Sequence, residues 1–228
     1  MVNSGETNPT PERPYPWRTA CEKALADFTT KDSLRFWGWG HDVGGVRVPA
    51  FDYRFEHTLA VVKLAGWLAP QVGADPEVLT CAAWLHDCRK RLGDKGPDSH
   101  AKDAAAALDG ILDGTDFPRH KIEAVRHAIL HHVGLSLAVP LEPLETACLW
   151  DIDKLSKLGV ASLIHFIGIA PGFHPVTTSA VLEKGEKWLE LAKGIVGGMN
   201  APPAKTEAAA RYNFLRDYYK RLALEWLE

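Results

Sequence analysis

PEVLTCAAWLHD, residues 76–87, decides how this chain folds. Asp75 and Pro76 start a helix there, because the aspartate accepts the free N–H groups of the first turn and proline lacks only an N–H that would have had no partner. From Pro76 to about His86 the helix is apolar on nearly every face, which predicts that it forms the buried centre of the protein. The apolar run ends in His86-Asp87, two adjacent side chains that can both bind a metal. A carboxylate at the end of a buried helix is costly unless it is paired, hydrogen-bonded or coordinated. Arg89 or Lys90 beside Asp87, and a backbone carbonyl beside His86, would meet that need without a metal.

Working outward, Phe55, Leu59, Val62 and Leu68 recur at helical spacing from Tyr53 to Val72, and Gly73 supplies a stop. His57 lies on one stripe with Val61, Leu64 and Leu68, so it is expected to face inward. In AVRHAILHHVG, residues 124–134, Val125, Ile129 and His132 fall within about 60° of one another, which turns His132 inward. His127 and His131 lie on a neighbouring face and read as a solvated i, i+4 pair. His100 opens a helix at about Ser99–Leu112, where it is either a ligand or a first-turn polar residue. Asp151 and Asp153, in LWDIDKLSKLG, project about 200° apart, so they cannot do the same job, and periodicity does not choose between them. His41-Asp42 is a second such dipeptide, but with Gly40 and Gly44-Gly45 around it and no apolar helix behind it, it reads as a loop feature.

Further helices are expected at about Pro118–His132, Leu141–Leu158, Ser179–Ile195 and Ala204–Trp226, with GGMNAPPAK as the break between the last two. Short segments such as Val43–Val48 are interrupted by glycine, so the fold class is all-α. Residues 1–14 read as a flexible tail, and residues 15–228 as a single helical domain with its core at about 50–165 and the C-terminal helices packed on it. The segment Cys88–Asp98 is basic and contains glycine, hence a surface loop.

The composition agrees with a folded chain: of 228 residues, 46% are hydrophobic and 24% charged, which excludes disorder. A net charge of -3 gives no general attraction to a nucleic acid polymer or an anionic membrane. The four cysteines, Cys21, Cys81, Cys88 and Cys148, form no CxxC pair and read as reduced, buried thiols. The longest apolar stretch, Val160–Ala170, is too short to span a bilayer and contains His165. A soluble, cytoplasmic protein is expected.

Imidazoles and carboxylates converging from separate helices make a mixed N/O set suited to a divalent transition metal, not to a structural zinc site built from cysteines. Such an ion makes hydroxide available from bound water near neutral pH and polarises a phosphoryl oxygen, which suits hydrolysis. Arg54, three residues before His57, and Lys90, three after Asp87, are placed to meet an anion.

The ordered stretches RFEH (54–57), LHDCRK (85–90), the histidine helix and DIDKL (151–155) resemble the HD superfamily of metal-dependent phosphohydrolases, over roughly residues 50–165. That resemblance implies a compact multi-helix HD-domain bundle and metal ligation by His57, His86, Asp87 and Asp153. Asp153 is preferred to Asp151 because Ile152-Asp153-Lys154-Leu155 is similar to the family's late motif. It also implies a catalytic role for Asp87 and Lys90, to which the placement of Arg54 adds a third catalytic candidate, with His100, His132 and Asp151 as candidates for a second metal or for substrate binding. The implied cofactor is a divalent ion (Mn, Fe, Co, Ni, Zn or Mg), and the implied partner a small phosphorylated substrate such as a nucleotide, with a homodimer left open. Departures from the pattern at Cys88-Arg89 and Leu135-Ser136 leave the subgroup undefined. The competing expectations are a di-iron oxygenase and a non-catalytic regulatory module on the same fold.

Overall fold

The computed structural model describes residues 15–93 and 99–227. The tail expected at residues 1–14, and residues 94–98 of the expected loop, lie outside the described residues. The order of elements is α1 (Trp17–Trp37), β1 (Gly40–Val43), β2 (Val46–Pro49), α2 (Tyr53–Val72), α3 (Pro76–Leu85), α4 (His100–Leu112), α5 (Ile122–His131), α6 (Leu144–Leu155), α7 (Val160–Ile169), α8 (Thr178–Gly198) and α9 (Pro202–Leu227). The all-α expectation holds.

α3 is the axis of the bundle, packed against α1, α2, α5 and α6. Val78, Leu79, Cys81, Ala82, Ala83, Trp84 and Leu85 are all buried, as an apolar surface on every face requires. Its start is fixed as its sequence dictates, with the Asp75 carboxylate accepting from Glu77 N at 2.9 Å and Val78 N at 3.2 Å. α2 is capped by Asp52, which accepts from Phe55 N at 3.2 Å and from Thr29 and Ser33 of α1, each at 3.0 Å. One carboxylate thereby starts α2 and ties it to α1. A continuous apolar cluster runs from Trp17 of α1 to Tyr219 of α9, with α8 and α9 packed together and α9 reaching α2, α6 and α7. All four cysteines are free and buried. Among the described residues no single helix is long and apolar enough to cross a membrane.

Two readings need correction. His41-Asp42 lies in a strand rather than a loop, since Gly40–Val43 pairs antiparallel with Val46–Pro49. Gly44 and Gly45, with φ of +62° and +79°, supply the tight turn that a two-residue hairpin needs, so the glycines that argued against strands in fact join them. The run Val160–Ala170, read only as an apolar stretch too short to span a bilayer, supplies α7.

Candidate metal centre

Four helices deliver side chains to the end of α3. His57 sits on the inward stripe of α2, His86 and Asp87 follow the last turn of α3, His100 opens α4, His132 follows α5, and Asp153 lies on α6. All six are buried. Both His86 and His132 occupy the position just past a helix, where carbonyls are left without helical partners. Their Nδ1 atoms meet those carbonyls, Ala83 O at 2.8 Å and Ile129 O at 2.6 Å. A carbonyl only accepts, so Nδ1 carries the proton and Nε2 presents a lone pair inward. His57 reaches the same state by another route. Ser156 Oγ donates to Asp153 O at 2.6 Å and is thereby left to accept from His57 Nδ1 at 3.0 Å.

The inward atoms lie close together. His57 Nε2 is 3.1 Å from Asp153 Oδ1 and 3.9 Å from Asp87 Oδ2, while His86 Nε2 is 3.8 Å from each of those oxygens. On the other side of Asp87, Oδ1 lies 3.2 Å from His100 Nε2 and 3.6 Å from His132 Nε2. Despite this proximity, His57 Nε2, His86 Nε2 and Asp87 Oδ1 are buried and have no hydrogen-bond partner. With its proton on Nδ1, His57 has none on Nε2 to give to Asp153 Oδ1, so the two lie 3.1 Å apart as acceptors. An unsatisfied buried polar atom costs about 1–3 kcal/mol, so three in one place call for a ligand. Atoms bound to one ion at about 2.0–2.2 Å lie no more than about 4.4 Å apart, a limit these separations meet. The donor set of neutral imidazoles and carboxylates fits a divalent cation. Three groupings can hold one: His57–His86–Asp87, His86–His132–Asp153 and Asp87–His100–His132.

The electrostatics keep these donors ready. Burial drives the His57 imidazole down to about 4, with the Lys157 ammonium adding to the effect and Asp153 opposing it. Burial likewise takes His86 down to about 3. Burial pushes the Asp87 carboxyl up, but the Lys90 ammonium and the Arg54 guanidinium outweigh it and hold the group well below the usual carboxylate range. Burial acts the same way on Asp153 and is overcome by Lys154 and Lys157. Neutral imidazoles beside ionised carboxylates are the protonation states a metal needs.

Arg54 Nη1 donates to Asp87 Oδ2 at 3.0 Å, and Lys90 Nζ stands 3.7 Å from Asp87 Oδ1, so both candidate cations adjoin the cluster. Asp151 does not. Although buried, it accepts from Asn200 N and Nδ2 at 2.8 Å each and from Ala201 N at 2.7 Å, which corrects its candidacy for the site. The 200° separation of the two acids sends one to the cluster and the other to the α8–α9 junction. His127 and His131 stack on each other at 4.1 Å, away from the centre, with His127 Nδ1 on Thr146 Oγ1 at 3.0 Å.

Three neighbours escaped the sequence reading. Lys157 donates to Asp153 Oδ1, an i, i+4 acid–lysine pair that helical spacing could have revealed. Tyr53 stacks on His57 with ring centroids 6.0 Å apart, again at i, i+4. Ser156 carries no signal of its own, because its role depends on α2 and α6 meeting.

A family model, HD domain, matches residues 54–158. No curated protein matches the chain. Among solved structures, a predicted HD superfamily hydrolase from an uncultured Thermotogales bacterium is similar at 20% identity and TM-score 0.58, over 92% of this chain and 94% of that one. An HD-superfamily hydrolase from Bacillus thuringiensis aligns at 22% identity and TM-score 0.56, over 92% and 98%. Bacillus subtilis YpgQ, solved in complex with ADP, aligns at 19% identity and TM-score 0.55, over 90% and 97%. These likenesses establish a shared fold.

Proposed function

Because residues 54–158 of this chain are an HD domain, we propose that the protein is a metal-dependent phosphohydrolase acting on a nucleotide or another small phosphate ester or anhydride. The observation that carries this reading is the convergence of three buried, unpartnered atoms, His57 Nε2, His86 Nε2 and Asp87 Oδ1. In it, His57, His86, Asp87 and Asp153 hold the ion. When bound, a divalent cation lowers the pKa of a coordinated water and polarises a phosphoryl oxygen.

The chain's own residues supply the rest. Ser156, Ala83 and Ile129 hold three imidazoles in the tautomer that leaves Nε2 free. Arg54 is anchored through Nη1 to Asp87, while its Nε is buried and unpartnered, a donor available to a phosphoryl oxygen. With Lys90 it would steady the negative charge that grows on the phosphoryl group in the transition state. The nucleotide option draws support from the shared fold with a protein solved with ADP.

The test is to measure bound Mn, Fe, Co, Ni, Zn and Mg in the purified protein and to screen phosphate release over a panel of esters and anhydrides. The expected result is at least one ion per chain and metal-dependent release. Asp87→Ala should lose the ion and at least about 100-fold in turnover; full metal content with full turnover in that variant would overturn the assignment. A second reading, a di-iron oxygenase, is favoured by the Asp87–His100–His132 grouping beside the first. Two irons per chain with oxygen consumption and no phosphate release would select it.

A further inference from the structure

Beside the metal centre lies a cavity of about 430 Å³, within the usual range for small-molecule sites. Tyr53 and Arg54 belong to both: Tyr53 stacks on His57, Arg54 bonds Asp87, and the pair lines the cavity. Most of the remaining wall comes from α7, α8 and the segment between them, including Leu163, Phe166, Ile169, Val181 and Trp188, with Leu92 and Gly93 after α3 and Tyr219 of α9 completing it. No described lining residue carries a carboxylate, an amide or an aliphatic hydroxyl, and the described cations are Arg54 and Lys184. Two of the apolar lining residues, Ile167 and Phe173, are 47% and 55% exposed.

This lining is selective. A nucleobase edge or a sugar brings several donors and acceptors, and a site that reads them needs side chains to pair with them, because each one left unpaired on burial is penalised. Besides the two cations, the described lining offers the Tyr53 and Tyr219 hydroxyls, the His174 imidazole and the Trp188 indole N–H, and it has no carboxylate or amide to pair with the mixed donors and acceptors of a base edge. It offers apolar area at one end and a guanidinium shared with the metal centre at the other. We propose that this cavity binds the organic group of the substrate, and that this group is apolar, an alkyl, prenyl or aryl chain whose phosphate lies on Arg54 at the metal centre. The inference rests on the phosphohydrolase reading for the fate of the phosphate, but the binding preference stands independently of turnover.

The test therefore separates the two. Titration calorimetry on the purified, metal-loaded protein would compare methylphosphonate, octylphosphonate and adenosine 5′-phosphate. Each buried methylene is worth about fourfold in affinity, so octylphosphonate is expected to bind at least about 100-fold more tightly than methylphosphonate, and more tightly than adenosine 5′-phosphate. Ala180→Trp, which fills the cavity from its α8 wall, should bring octylphosphonate close to methylphosphonate with the metal content retained. Equal affinity for the two phosphonates, tighter binding of adenosine 5′-phosphate, or undiminished octylphosphonate binding in Ala180→Trp would each overturn the proposal. Tight octylphosphonate binding without phosphate release from octyl phosphate would uphold the cavity assignment and overturn the hydrolase reading.

Discussion

His57 and His86 are buried bases that folding deprives of water, and the consequence is a pH-dependent stability with a defined sign. In the unfolded chain an imidazole takes up a proton near pH 6.5, whereas in the folded protein His57 does so only at about 4 and His86 at about 3. Between those limits the unfolded state binds more protons, so stability rises with pH. The metal-free protein should therefore melt at progressively lower temperature as pH falls from 6.5 towards 4. Asp87 and Asp153, held below the usual carboxylate range, add a loss of the same direction only below about pH 3.8. Thermal melts of chelator-treated protein across this range check the window; a flat profile would mean that the imidazoles titrate freely. Ser156 makes a second prediction at this scale. Removing its hydroxyl deprives His57 Nδ1 of its acceptor, so Ser156→Ala should weaken metal binding by about 10–100-fold while leaving the fold intact. Competition with a chelator of known affinity measures it.

At the scale of elements, the centre depends on where helices stop. α3 and α5 both end one residue before a histidine, and in each case the imidazole returns to a carbonyl of the last turn. Sliding either helix by one residue would swing its histidine by about 100°. The register of α3 is set at its other end, by Asp75 on the first-turn N–H groups and by the Lys121 ammonium, which bonds the Asp75 carboxylate at 2.6 Å. Asp75→Ala should cost about 1–2 kcal/mol, the worth of a helix cap, with metal stoichiometry unchanged because α3 stays buried on every face. Chemical denaturation of the metal-loaded protein gives the value. The element boundaries of α2 and α3 were legible in the sequence because caps, stops and apolar spacing are all local. The hairpin and α7 were not. Four-residue strands carry too little pattern to register, and α7 starts after Gly159 with no side-chain cap of the kind that marks α3 at Asp75-Pro76.

Across the whole molecule, α8 and α9 complete the apolar cluster that begins at α1 and form, with α7, the cavity beside the centre. Asp151 secures that arrangement through its three hydrogen bonds to Asn200 and Ala201. Asp151→Ala should destabilise the protein by at least about 3 kcal/mol, since bonds to a charged acceptor are worth about 1.5–3 kcal/mol each, yet leave the metal content untouched. Loss of metal in that variant would return Asp151 to the centre. The sequence by itself determined that the chain is helical, that Pro76–Leu85 is its buried axis, and that His57, His86, His132 and Asp87 face inward, because helical spacing and burial are properties of a local stretch. Only the tertiary structure decided that Asp153 and not Asp151 meets the histidines, that Ser156 and Lys157 support them, and that an apolar cavity adjoins the cluster. Those outcomes depend on how α2, α6, α7 and α8 cross, and a crossing is set by contacts between residues about a hundred positions apart.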